Sequence, residues 1–240
     1  MKQFFAFMAA AMISLSSFAQ LPNGSVAPDW TLTSVDSVEY NLYSLLDSGY
    51  AVIIDFSATW CPPCWTYHES GVLETLHETY GPDGTNEIRV FFIEGDDATT
   101  LADLNGETIA SMGDWLEGTG YPVIDNGEST FDDYAATYFP TIYTICPSGR
   151  LTESGQVSVE EHVDIFSANV CQPATQDNDA CLVEYTGETL ACGENPVSLE
   201  VDLMNLGNTN LTACTIKAYE GTNEVASVDW TGNLDTYGMA

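Results

Sequence analysis

Positive charge is the scarcest property of this sequence. Of its 240 residues, four are Lys or Arg and 36 are Asp or Glu, which gives a formal net charge of -32. A chain with this balance repels phosphate backbones and anionic lipid surfaces, so the sequence excludes nucleic acid as a partner. Composition leaves two interpretations open: an acid-rich solvated surface, as in salt-adapted or secreted proteins, or weak cation binding.

Long apolar runs are also missing after residue 19, where no stretch approaches the ~20 apolar residues that a membrane-spanning helix needs. The apolar run in 1–19 follows Lys2 and ends in Ser-Phe-Ala before Gln20, which predicts a cleaved signal peptide. Cleavage removes Lys2 and leaves three basic against 36 acidic residues, a charge of -33. We expect a secreted or periplasmic protein whose seven cysteines form disulfides or redox thiols.

The hydrophobic fraction, 45%, is sufficient for one or two buried cores. Within 20–171, short apolar runs alternate with helical patterns, which is typical of βαβ units in an α/β fold. The runs predict strands at 50–57, 88–94, 138–145 and 151–157. The helical patterns predict a helix that follows the motif at 61–64 and ends at 81–82, and further helices at 99–116 and 159–170.

The composition changes after residue 171. Residues 172–195 are rich in Gln, Asp, Asn, Thr and Gly, which is typical of a linker. In 196–240 apolar and polar residues alternate, which predicts at least three antiparallel strands of an all-β, sandwich-like domain. An immunoglobulin-like sandwich uses about seven strands, so we expect a partial domain and a chain that ends inside it.

The motif that carries chemistry is Cys61-Pro62-Pro63-Cys64, which lies between a predicted buried strand and a predicted helix. A helix N-terminus favours the thiolate of the first cysteine and makes it the nucleophile. The second cysteine lies one turn further on, where it can attack a mixed disulfide and release the product. Pro62 and Pro63 rigidify the loop without removing a donor that the helix needs. The pattern predicts a redox-active disulfide, Cys61–Cys64, as the catalytic group.

The same pair has two other interpretations, a structural disulfide and half of a metal site. A zinc site would need a second pair of cysteines at ligand spacing, and the remaining five cysteines are scattered singly. We therefore predict no metal, and no cofactor other than the Cys61–Cys64 disulfide.

Around this motif the sequence resembles the thioredoxin superfamily, in particular the exported redoxins of the TlpA/ResA type. The similarity covers residues 24 to about 170 and includes Trp60-Cys61-Pro62-Pro63-Cys64, 24–30, 40–42, 121–125 and Phe139-Pro140-Thr141. It implies a thioredoxin-like fold, in which helices flank a central mixed sheet, and thiol-disulfide oxidoreductase activity. The implied partners are protein thiols and disulfides, together with an unidentified redox partner that resets the pair.

The resemblance also implies a substrate-binding surface near the pair. Pro140 is similar to the cis-proline that lies against the two cysteines and helps to hold the substrate backbone, and Phe139 would shape the substrate groove. Trp60, Pro62 and Pro63 would complete this surface, since Trp60 can cover the cysteines.

A further implied role falls on Asp55, which stands six residues before Cys61. Thioredoxins carry a buried acid at this position, beneath the second cysteine. Burial raises the pKa of a carboxyl group, so Asp55 would accept the proton of Cys64 as that sulfur attacks the mixed disulfide. The alternative is a solvated acid at a strand edge.

Other polar residues give weaker signals. His68 lies four residues after Cys64 and could tune the thiol or bind a metal, but a lone histidine on a helix is typical of an ordinary surface or core position. His77 and His162 have no recognisable partners. The acid clusters at 96–97, 132–133 and 177–179 lack the EF-hand pattern, so we interpret them as solvated surface.

Five cysteines remain outside the motif. The implied fold places the end of the third predicted strand beside the last helix, so Cys146 is expected to pair with Cys171. Cys192 and Cys214 form a second expected pair, which leaves Cys181 free or bound to a partner outside the chain. The alternative is a relay thiol that exchanges with the catalytic pair.

Two competing functions differ from the oxidoreductase. A peroxiredoxin needs a Thr-x-x-Cys nucleophile with a nearby arginine, whereas Thr59 stands only two residues before Cys61. The second is a secreted, non-catalytic binding module, because the C-terminal segment shows a short similarity to adhesion-type, CARDB-like immunoglobulin domains and fold does not imply function. A scaffold would not require two prolines between flanked cysteines with Pro140 opposite, so the sequence favours catalysis.

Overall fold

The computed structural model describes residues 20–185, 187 and 199–240. The predicted signal peptide, 1–19, and Cys192 lie outside the described residues. Within the described ranges, no helix has both the length and the apolar character needed to cross a membrane.

A mixed sheet forms the centre of the N-terminal part. This part contains seven strands: β1 (Thr31–Thr33), β2 (Glu39–Asn41), β3 (Ala51–Ser57), β4 (Ile88–Glu94), β5 (Val123–Ile124), β6 (Thr141–Ile145) and β7 (Leu151–Glu153). β1 and β2 pair with each other, and the other five form one sheet in the order β5-β4-β3-β6-β7. β3 is parallel to β4 and antiparallel to β6. This is the sheet of a thioredoxin-like fold, which confirms the predicted fold class.

Six helices cover the two faces of this sheet. They are α1 (Leu42–Asp47), α2 (Pro62–Glu69), α3 (Val72–Tyr80), α4 (Leu101–Leu104), α5 (Glu128–Asp133) and α6 (Val159–Ser167), and a 3-10 turn follows at Asn169–Cys171. One core cluster joins the sheet to α2, α3 and α6, and a second joins its other face to α1 and α5. The cysteine motif therefore lies on the face that carries the first cluster.

Two helix predictions were wrong in their extent. The helix expected to run from the cysteine motif to 81–82 is two helices, because Gly71 between them takes a left-handed conformation (φ 69°) that breaks the helical path. The helix expected over 99–116 is only the short α4, because the chain turns at Gly106 (φ 69°) and folds back. The N–H of Trp115 then donates to the carbonyl of Leu104 at 2.8 Å.

The C-terminal part consists of two antiparallel strand pairs, which fit a β-sandwich. β8 (Ala180–Tyr185) pairs with β9 (Val201–Asn205), and β10 (Leu211–Glu220) pairs with β11 (Asn223–Leu234). β8 lies inside the segment 172–195, which the sequence predicts as a linker. β8 begins with a run of only four apolar residues, 180–183, which is too short to stand out from the polar residues around it.

Candidate functional site

The Cys61–Cys64 pair lies where β3 ends and α2 begins. The two cysteines form a disulfide with their Cα atoms 5.3 Å apart. Cys61 is the residue that caps the N-terminus of α2, and its sulfur accepts a hydrogen bond from the N–H of Cys64 at 3.2 Å. Because Pro62 and Pro63 have no N–H group, the N–H of Cys64 is the first donor that the helix end offers.

The surroundings of the pair favour a reactive first cysteine. No acidic side chain lies in the first turn of α2, so the partial positive charge of this helix end is not neutralised locally. Pro62 and Pro63 are exposed, whereas Cys61 and Cys64 are buried in the oxidised pair. A thiolate formed at Cys61 would keep the hydrogen bond from Cys64 and the favourable helix field.

Trp60 and the segment before β6 form the surface beside the pair. The Phe139–Pro140 peptide bond is cis, as the resemblance implies. The rings of Trp60 and Phe139 meet edge to face with centroids 6.0 Å apart. The indole Nε1–H of Trp60 donates to the Asp96 carboxylate at 2.6 Å. Asp96 is partly exposed, and its side chain also holds the indole in place.

Asp55 is buried at the end of β3, on the face that packs against α2. The Ser57 hydroxyl donates to its carboxylate at 2.7 Å. Burial raises the pKa of Asp55 to about 7, and the Ser57 hydrogen bond opposes this shift. Tyr67 lies one turn after Cys64 on α2; burial raises its pKa, and the Asp55 charge adds to this shift. The alternative of a solvated acid at a strand edge is therefore excluded.

Glu94, which the sequence analysis missed, is a second buried acid. It ends β4 opposite Ser57 in the parallel register, and its side chain is 0% exposed. One carboxylate oxygen accepts the N–H of Thr59 at 2.9 Å, and the other accepts the N–H of Asp96 at 3.0 Å. Burial raises the pKa of Glu94 to about 7, although these hydrogen bonds favour its ionised form.

The histidines are packed among aromatic side chains. His68 stacks on Trp65 and contacts Trp115, and burial lowers its pKa. His162 is fully buried, and its Nε2 lies 2.8 Å from the hydroxyl of Tyr67. Burial lowers the pKa of His162 to about 4, so the ring is neutral near pH 7. His162 therefore does have a partner, which the sequence analysis did not identify.

The other cysteines divide into one disulfide and two free thiols in the described part of the chain. Cys146 and Cys171 form the expected disulfide between the end of β6 and the turn after α6. Cys181 is free. Cys214 also carries a free thiol, and its cross-strand neighbour in the β10–β11 ladder is Trp230. The expected Cys192–Cys214 disulfide is therefore not seen, and Cys192 itself lies outside the described residues.

Arg89 and Arg150 lie away from the Cys61–Cys64 pair. Arg89 stands near the start of β4, and Arg150 stands in the turn between β6 and β7. Both residues lie beside the start of β3, at the opposite end of the strands from Cys61, which follows the end of β3. Lys217 lies in β10 and pairs with Glu224.

Comparisons with known proteins agree with this description. No family model matches the chain. It is 26% identical over 133 residues to the thioredoxin-like protein YneN of Bacillus subtilis, a match that covers 55% of this chain and 71% of that protein. The chain is thus similar in sequence to a thioredoxin-like protein.

Two solved structures overlap the N-terminal part. The thioredoxin domain of a thiol-disulfide oxidoreductase from Bacteroides vulgatus aligns with a TM-score of 0.45 and 16% identity, over 61% of this chain and 96% of that one. The exposed lipoprotein thioredoxin Etrx1 of Streptococcus pneumoniae aligns with a TM-score of 0.42 and 21% identity, over 58% and 97%. The assignment of the fold rests on the sheet topology of the chain itself.

Proposed function

We propose that the protein is an exported thiol-disulfide oxidoreductase that exchanges disulfides with protein substrates through Cys61 and Cys64. The observation that carries the proposal is the position of Cys61 at the N-terminus of α2, disulfide-bonded to Cys64 and accepting its N–H. A helix end lowers the pKa of a thiol placed there and so favours the nucleophilic thiolate.

In the reducing direction, the Cys61 thiolate attacks one sulfur of a substrate disulfide. The substrate disulfide breaks, its second sulfur leaves as a thiolate, and Cys61 becomes part of a mixed disulfide. Cys64 then attacks the Cys61 sulfur, which forms the Cys61–Cys64 bond and releases the first substrate sulfur. Two electrons pass from the cysteine pair to the substrate, and the reverse sequence oxidises a substrate dithiol.

Asp55 is the proton acceptor in this scheme. Cys64 must lose its proton to attack the mixed disulfide, and a buried carboxylate with a pKa of about 7 is well matched to take a proton near neutral pH. In the reverse direction, the protonated acid returns the proton to the Cys64 thiolate as the pair opens. Trp60, Pro62, Pro63, Phe139 and Pro140 form the surface that receives the substrate backbone.

Export is supported by sequence and by the second disulfide. Residues 1–19 have the signal-peptide pattern, and the buried Cys146–Cys171 bond suits an oxidising compartment. Cell fractionation and N-terminal sequencing test this part. A mature protein that starts at Gln20 outside the cytoplasm supports export, and an intact N-terminus in the cytoplasm contradicts it.

The reduction potential of the Cys61–Cys64 pair tests the activity itself. We expect a value between about -270 mV, which is typical of thioredoxin, and about -120 mV, which is typical of a strong oxidant. The pair is equilibrated in glutathione or dithiothreitol buffers, and turnover is followed with insulin or a scrambled disulfide substrate. Cys61→Ser is expected to abolish turnover.

The opposite result assigns a different class of function. A pair that stays oxidised below about -300 mV and shows no turnover is a structural disulfide. The thioredoxin-like part would then be a scaffold, and the proposal would be rejected in favour of a secreted binding module.

A further inference from the structure

Glu94 connects the two loops that border the catalytic pair. Its carboxylate accepts the N–H of Thr59, two residues before Cys61, and the N–H of Asp96 in the loop after β4. The Asp96 side chain in turn holds the indole of Trp60. A single buried side chain thus fixes both the backbone that leads to Trp60 and the residue that anchors its ring.

The neighbouring Gly95 extends this connection to the cis-proline segment. A Cβ atom on Gly95 would lie 2.6 Å from the Phe139 ring, so this backbone and that ring are in close contact. Phe139 itself meets Trp60 edge to face. The segment 94–96 therefore contacts both Trp60, through Asp96, and Phe139, through Gly95.

We propose that Glu94 is a positioning residue, whose ionised carboxylate holds Trp60 and Phe139 in the geometry that receives a protein substrate. This inference rests on the function proposed above and adds a residue that acts through Trp60 and Phe139 and not on the sulfur atoms. The Cys61 thiolate depends on the Cys64 N–H and on the helix end, which Glu94 does not touch.

The hydrogen-bond pattern requires an acceptor at both oxygens. Thr59 and Asp96 each present a backbone donor, and an ionised carboxylate is acceptor-only. In Glu94→Gln one oxygen becomes an NH2 group, which faces a donor and cannot bond to it. Protonation of Glu94 has a similar effect, since the new O–H turns one of the two acceptors into a donor.

The NMR signal of the Trp60 indole reports on the hydrogen bonds that Glu94 accepts from Thr59 and Asp96. The indole N–H of Trp60 is hydrogen-bonded to Asp96, so its 1H–15N resonance in the full chain, assigned by its loss in Trp60→Phe, senses this loop. We expect the resonance to shift with a midpoint near pH 7 in the wild type. Glu94→Gln should abolish this transition, and Asp55→Asn, the other buried acid, should retain it.

Other acidic side chains lie near this segment, namely Asp55 on β3, Asp96 and Asp97 in the same loop, and Glu128 at the start of α5. Thr99→Val is a milder change than Glu94→Gln, and it shows whether the transition belongs to Glu94 or to one of these other acids. The Thr99 hydroxyl favours the ionised form of Glu94, so its loss should move the midpoint to higher pH. An unchanged midpoint in Thr99→Val, or a transition that persists in Glu94→Gln, overturns the proposal.

Turnover provides the second arm of the test. With a protein disulfide we expect Glu94→Gln to lower kcat/KM by about tenfold, mainly through a higher KM. With hydroxyethyl disulfide, a small neutral substrate, the rate should stay within about twofold of the wild type. Glu87→Gln, an exposed residue just before β4, is the matched control and should behave as the wild type with both substrates.

The two substrates separate this proposal from the proposed activity. If the wild type reduces neither substrate, the activity itself is absent. If the wild type reduces both and Glu94→Gln slows both equally, Glu94 acts on the sulfur chemistry or on stability, and its assignment as a positioning residue is wrong.

Discussion

Asp55 and Glu94 are two buried acids on neighbouring strands of one sheet, and they differ in what surrounds them. Burial raises the pKa of each to about 7. The Glu94 carboxylate is held by two backbone N–H groups, whereas Asp55 accepts one hydrogen bond, from the Ser57 hydroxyl. A carboxylate whose acceptors are occupied can hold a loop, and one with acceptor capacity left can take a proton. Similar acidity thus suits two different tasks.

The largest expected effect is on stability as the pH changes. Because the folded-state pKa of Asp55 is raised, its contribution to stability is present below pH 4 and is lost as the pH rises through about 7. A shift from 3.8 to about 7 corresponds to an upper limit of roughly 4 kcal/mol. We expect Asp55→Asn to raise the free energy of unfolding at pH 8 by about 2–4 kcal/mol, measured by urea denaturation.

Urea denaturation of Glu94→Gln tests whether the two buried acids affect stability differently. This variant also removes a buried charge, but it breaks a backbone contact, so its gain at pH 8 should be clearly smaller than that of Asp55→Asn. Asp83→Asn, an exposed residue after α3, is the matched control and should change stability by less than about 0.5 kcal/mol. Equal gains in both buried variants would contradict the distinction between the two acids.

The next effect concerns turnover. In the proposed mechanism, Asp55→Asn removes the proton acceptor for Cys64, and a positioned acid or base contributes at least about 10²-fold. We expect turnover of a protein disulfide at pH 7 to fall by about that factor, and the mixed disulfide on Cys61 to accumulate in acid-quenched samples analysed by mass spectrometry. Glu94→Gln should not accumulate it, since Cys64 still resolves the intermediate. Accumulation of the mixed disulfide in both variants would contradict the proposal that Asp55 and Glu94 have different roles.

Gly95→Ala changes the contact between the segment 94–96 and Phe139, and leaves Asp55 and Glu94 in place. The added methyl group must displace Phe139, and overpacking of this kind costs about 1–3 kcal/mol. We expect a lower melting temperature and a several-fold higher KM for a protein disulfide, with little change for hydroxyethyl disulfide. An unchanged KM would show that the position of Phe139 does not matter for binding.

The smallest effect comes from Ser57→Ala. The Ser57 hydroxyl stabilises the ionised form of Asp55, so its loss should raise the pKa of that carboxyl group further. A hydrogen bond to a charged group contributes about 1.5 kcal/mol, which corresponds to about one pH unit. The pH profile of turnover should move upward by about that amount, while the Trp60 resonance keeps its midpoint. A shift in both would show that the two acids are coupled.

The features that were predictable from sequence are local ones. The strands β3 and β4 appear as continuous apolar runs, and the cysteine motif and the proline at 140 stand in short segments with few alternative interpretations. The Cys146–Cys171 disulfide was predictable once a thioredoxin-like fold was assumed, because that fold places the end of β6 beside the end of α6.

The features that escaped prediction depend on contacts between distant residues. Glu94 appears in the sequence as the charged end of a strand, and its burial depends on a donor 35 residues away at Thr59. The Tyr67–His162 contact joins residues 95 positions apart. The irregular fold of 105–122 is set by glycine conformations and by packing around Trp115, for which helical periodicity gives no signal.

The placement of the few basic residues affects which proteins would approach the Cys61–Cys64 pair fastest under the proposed function. Arg89 and Arg150 lie at the opposite end of the central strands from Cys61, whereas Asp96 contacts Trp60, and Asp96, Asp97 and Glu128 interact electrostatically with one another. Long-range attraction accelerates encounters with oppositely charged molecules and is screened beyond about 8 Å at physiological ionic strength. We therefore expect proteins rich in lysine and arginine to associate with the pair fastest at low ionic strength, and added salt to reduce the difference between their association rates and those of acidic proteins.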